Sequence, residues 1–156
     1  MKTHLITLLF LLGSHAALAA GPTVHTQASG HDARVVLALT PEERAIILDE
    51  MHQFLDAVQK MTGALAKQDM PAAAKASRAV GQQMGQAVPP TLRAKLPMEF
   101  RQIGNVVHRD FDQMALDADT LGDVSYSLTQ LSATLQKCVS CHATYQIRTP
   151  ALNTQR

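Results

Sequence analysis

The 156 residues predict an all-α protein built as an antiparallel four-helix bundle. Three observations carry that prediction. Apolar residues recur at spacings of three and four along four stretches, the period of a helix with one buried face. Short connections rich in proline or polar residues separate the stretches, so helices adjacent in sequence pack as antiparallel neighbours. No stretch sustains the alternation of a half-buried strand.

The N-terminus reads as an address. Lys2 supplies a positive n-region, Leu5 to Leu12 an apolar h-region, and Ala17-Leu18-Ala19 a small-residue cleavage site. That apolar run is too short to span a bilayer, and no later one could. Residues 1–19 are therefore expected to be a cleaved signal peptide, and the remainder a periplasmic protein with no membrane span. About 137 residues are left, one domain with one core. Of 14 basic and 13 acidic residues, only Lys2 falls in the leader. The balanced remainder lacks the basic excess that nucleic acid or an anionic membrane would require.

Residues 20–38 carry Gly21, Pro22 and Gly30 without a period and read as a flexible lead-in, with His25 and His31 solvated. The bundle is expected over 39–148. Thr40-Pro41-Glu42-Glu43 starts its first helix: Thr40 caps, Pro41 takes the first helical position and Glu43 completes a capping box. Ile47, Met51, Phe54, Val58, Met61 and Leu65 form its stripe, widened by Leu48 and Leu55, to about Ala66. Asp69 then caps an Ala-rich second helix over about 70–87, which Gly81 and Gly85 weaken and Pro89-Pro90 ends. Residues 90–96 read as a connection. Pro97 opens a third helix to about Ala118, with Phe100, Ile103, Val107, Phe111 and Met114 on its apolar face. His108 reads as a partly exposed surface histidine, and Met61 and Met114 as core filler. After the turn at 119–123, Val124, Leu128, Leu131, Leu135, Cys138, His142 and Tyr145 make an unbroken seam on the fourth helix. Residues 149–156 read as a frayed tail.

The chemistry lies on that last seam, in Cys138-Val139-Ser140-Cys141-His142. Two thiols on one helical turn can add to the two vinyl groups of a single haem, and the next residue offers an axial imidazole. A thioredoxin-like pair would sit beside a βαβ pattern, which is missing. A zinc site would need a second ligand pair, also missing. A plain disulfide leaves His142 unexplained. With no Trp and 4% aromatic residues, a planar cofactor would also supply apolar bulk that the side chains lack. The cofactor expected is one covalently bound haem c.

Signal, four helices and a terminal haem motif together resemble the cytochrome c prime family. That family ends in Cys-x-x-Cys-His-x-x-Tyr/Phe followed by a basic residue; Cys138, Cys141, His142 and Tyr145 fill those places, while Gln146 stands where the basic residue would be. The resemblance covers about residues 38–148. It implies a protein that is not an enzyme and either passes single electrons to periplasmic redox partners or binds NO or CO. It also implies a distal position on the first helix, four residues after an arginine. Counting from Arg44 gives Leu48, an open-site residue; Met51 lies one turn along the same face. Met51 is the expected sixth ligand, since a thioether suits an electron carrier. His52, about 100° round the helix, is expected to point away. No distal His-Arg pair for a peroxidase can be assigned. Dimerisation through the first two helices is common in the family.

Overall fold

Helices take up most of the chain between Pro41 and Thr144 in a computed structural model that describes residues 32–150. The leader over 1–19, His25 and His31, and the tail beyond 150 lie outside the described residues. All the elements belong to the unit that begins at Ala33. The protein is all-α but for two short strands.

Helix α1 runs Pro41–Leu65 and opens on the expected capping box, with Glu43 N donating to Thr40 Oγ1 (3.2 Å) and Thr40 N to Glu43 Oε2 (3.1 Å). The chain then turns through Gln68, at a left-handed φ of 57°. Asp69 caps α2, Met70–Arg78, by accepting from Ala72 N at 3.0 Å. The single helix expected over 70–87 is in fact two. A one-turn helix α3, Gln82–Gly85, follows a break at 79–81. The break has a tertiary cause: Asp112 accepts from Gln82 N at 3.0 Å, and a Cβ on Gly81 would lie 1.8 Å from Asp112 Oδ1. A second correction concerns 90–96, where Pro90–Lys95 form α4 with Pro90 at its start. Helix α5, Met98–Leu121, outruns the expected Ala118 and stops at Gly122, whose φ of 63° is the left-handed C-cap conformation. Helix α6, Val124–Thr144, is capped by Asp123, which accepts from Tyr126 N at 3.0 Å.

Strands β1, Val35–Ala38, and β2, Tyr145–Arg148, pair in parallel. Part of the expected lead-in is thus folded. Four residues are too few for alternation to show in the sequence, and the partners come from opposite ends of the chain.

Helix α2 packs on α1 and α5, α3 on α5, and α5 on α6, while α1 and α6 are not among the closely packed pairs. Ala73, Ala74, Ala76 and Ser77 let α2 approach its neighbours, and Met61 and Met114 are fully buried fillers as expected. Phe111, Val107 and Leu131 complete this core. A second cluster of Leu37, Leu39, Ile47, Leu92 and Leu96 lies under the strands. The expected seam on α6 is rotated: Ser127, Leu131 and Thr134 are buried, whereas Leu128 and Leu135 stay 46% and 37% exposed. With α5 as its close helical neighbour, α6 turns Leu135 and the cysteine turn toward the gap before α1. No described helix is long and apolar enough to cross a membrane.

Candidate functional site

That gap is a cavity of about 390 Å³, within the usual range for small-molecule and cofactor sites, roughly 300–1,000 Å³. Helix α1 gives it Glu50, Met51, His52, Phe54, Leu55 and Val58; α5 gives Phe100, Ile103, Gly104, Val107 and His108; α6 gives Leu135, Cys138, Cys141 and His142. At 100° per residue, Met51, Leu55 and Val58 centre the α1 wall while Glu50 and His52 flank it. His52 therefore does not point away as expected but sits, exposed, at the rim. Apart from these flanks, His108 and the Cys138–His142 turn, the lining is apolar.

Four of the six candidate residues meet here: Cys138, Cys141, His142 and Met51. Leu48, on the Met51 face but one turn nearer the N-terminus, is not among the residues that line the cavity. Tyr145 is outside too. It opens β2 and packs edge-on against Phe100, ring centroids 5.3 Å apart at 86°.

Both thiols are free and half-buried. Burial pushes each up from its ordinary value, only partly offset for Cys138 by a backbone hydrogen bond and Lys137, and reinforced for Cys141 by Cys138. A dithiol oxidoreductase needs the reverse, a depressed thiolate. Among the described residues no cluster of three or more His, Cys, Asp and Glu side chains is arranged to hold a metal ion. What the cavity offers instead is a hydrophobic slot with two neutral thiols and an imidazole on one wall and a thioether on another. These residues fit a macrocycle that carries its own metal-binding nitrogens.

No family model, no curated protein and no solved structure matches this chain.

His108 is the residue that sequence reasoning misjudged. It is 5% exposed rather than on the surface. Nδ1 lies 2.9 Å from the Val80 carbonyl and Nε2 3.2 Å from Glu50 Oε1. The carbonyl can only accept, so Nδ1 carries a proton, and an Nε2 proton then faces the carboxylate. Burial alone pulls the ring's pKa down, but hydrogen bonds to Glu50 and Val80, with the charges of Glu50 and Asp112, hold it above its ordinary value. Phe54 stacks on the ring at 4.9 Å. Gly85 makes the approach possible, because a Cβ there would come within 2.7 Å of the imidazole. The only hint in the sequence was that glycine.

Thr144 ends α6, and the segment beyond it is tied to the N-terminal strand. Arg34 Nη1 donates to the His142 carbonyl at 3.3 Å, and Gln146 Nε2 donates to Arg34 O at 3.2 Å.

Proposed function

We propose that the protein is an exported c-type cytochrome of the cytochrome c prime kind. In this reading α1, α2 with α3, α5 and α6 are the four members of an antiparallel bundle, and one haem fills the gap between α1 and α6. Cys138 and Cys141 hold it by thioether bonds, His142 is the proximal ligand and Met51 the sixth. One observation carries the reading: Met51, on the first helix, lines one apolar cavity with Cys138, Cys141 and His142, which lie far from it in sequence. The haem would supply a one-electron couple at its iron. Leu55, Leu135, Val107 and Ile103 would limit water around it, which lowers solvent reorganisation on electron exchange with a periplasmic redox protein. The gas-binding alternative needs Leu48 over the iron, and Leu48 lies outside the cavity lining; that observation favours Met51.

The test is spectroscopic. Red colour should survive acid–acetone extraction in the wild type and be lost from the double variant Cys138→Ala, Cys141→Ala. Ferric EPR and ferrous absorption should report low-spin iron that binds CO slowly, and Met51→Ala should become high-spin and bind CO readily. High-spin wild type left unchanged by Met51→Ala would instead support an open site for NO or CO. A colourless wild type would end the haem reading.

A further inference from the structure

Strand β1 pairs with β2 just beyond the Cys138–His142 turn, and Arg34, immediately before β1, reaches back to that turn. Pairing runs from Val35 with Tyr145 to Ala38 with Arg148, and Leu39 N adds a bond of 3.1 Å to Arg148 O. Gln146 Nε2 donates to the Arg34 carbonyl, and Arg34 Nη1 donates to the carbonyl of His142. That last acceptor matters. Tyr145 N donates to Cys141 O and closes the helical ladder, so the His142 carbonyl comes after the last rung of α6. A guanidinium suits it: the group is charged at every accessible pH, and a cation at a helix C-terminus meets the negative end of the macrodipole.

We propose that Arg34 is a positioning residue for His142. Its guanidinium holds the terminal turn of α6 and so fixes the direction from which the imidazole enters the cavity. It also sets a permanent positive charge beside the proximal residue. Arg34 does not itself line the cavity; it acts through the backbone of His142. The inference rests on the haem reading above. A positive charge close to the proximal ligand disfavours the more positive, ferric form. Losing Arg34 should therefore lower the midpoint potential, and a looser turn should change the azimuth of the imidazole.

The experiment uses the holoprotein as wild type, Arg34→Ala, Arg34→Lys and Lys67→Ala, the last removing one exposed charge at the α1–α2 connection. Acid–acetone extraction followed by a pyridine haemochrome spectrum scores covalent haem in each. Redox titration then gives the potential, and the paramagnetically shifted haem methyl resonances of the ferric protein report the azimuth of the imidazole. All four should keep haem. Arg34→Ala should shift the potential downward and change the spread of the methyl resonances, Arg34→Lys should recover the potential, and Lys67→Ala should move neither. Haem retained with an unchanged potential and methyl pattern in Arg34→Ala overturns the positioning role while leaving the haem reading intact. A shift in Lys67→Ala equal to that in Arg34→Ala overturns it as well, since net charge alone would then suffice. A wild type without covalent haem overturns both readings.

Discussion

Replacing His108 by leucine removes one imidazole that serves two buried groups. The side chains of His108 and Glu50 are 6% and 15% exposed, and the pair stands in the wall of an apolar cavity. Without the ring, Glu50 keeps no partner there and the Val80 carbonyl loses its side-chain donor. Breaking a buried pair from one side costs about 3–5 kcal/mol, and an orphaned buried acceptor about 1–3 kcal/mol more. Residual exposure lets water relieve Glu50, so the expected net loss near neutral pH is about 3 kcal/mol. For a domain of this size that is a fall in melting temperature of roughly 10 °C. Glu50→Gln should cost less, about 1 kcal/mol, because its amide oxygen still accepts from Nε2–H.

The pH dependence has a definite sign. The folded-state pKa of His108 is raised above its ordinary 6.5. Its contribution is therefore fully present below that ordinary value and lost as pH rises through the folded value. Urea unfolding of the protein as isolated, followed by far-UV circular dichroism at about pH 6 and about pH 9, should show the wild-type advantage over His108→Leu shrinking at the higher pH. A variant within about 0.5 kcal/mol of wild type at the lower pH would refute the reasoning. So would an advantage that grows with pH.

Two further outcomes are expected. Gly81→Ala should destabilise by about 1–2 kcal/mol, because its Cβ would displace the Asp112 carboxylate that caps α3. Asp112→Ala should cost about 1 kcal/mol, and the two should be clearly non-additive in a double-mutant cycle; additivity would count against the clash. On the proposed haem reading, the haem-free protein should be partly unfolded, with broad thermal transitions and binding of a hydrophobic dye. Several hundred Å² of buried macrocycle at ~25 cal/mol per Å² is comparable to a whole domain stability of about 5–15 kcal/mol. A sharp transition at an unchanged midpoint would contradict that estimate.

What the sequence disclosed follows from how local each cause is. Thr40 and Glu43, Asp69, and Asp123 announce helix starts within three residues of the amides they cap, and all three starts are where they were expected. The end of α5 is less legible: the helix runs past the expected Ala118 to Leu121, where Gly122 takes the left-handed conformation. The division of 70–87 was hidden because its cause, Asp112, lies thirty residues away on another helix. Pro89-Pro90 reads in the sequence as a stop, although a proline is equally suited to the first turn of α4. The burial of His108 needed Gly85, Val80 and Glu50 to converge from three segments. Of the candidate site, the Cys138–His142 motif is legible because its two thiols and its imidazole share one stretch of five residues. The company of Met51 is not: it depends on how Ile47, Ala57 and Met61 seat α1 against the rest, which decides that Met51 rather than Leu48 borders the cavity.

The strand pair imposes an order on assembly. Adjacent helices can close as hairpins over short connections, α5 onto α6 across Gly122 and Asp123 alone. The clasp must instead join Arg34 to His142, 108 residues apart. Closing a loop of that length in an otherwise unstructured chain costs about 4 kcal/mol of entropy, far beyond what four residue pairs return. It becomes affordable only after the helices have brought the two ends together. During synthesis β1 emerges before the helices and waits for a partner, β2, that emerges after them. Until then the His142 carbonyl lacks its bond from Arg34, and the end of α6 is not yet tied to the N-terminal segment.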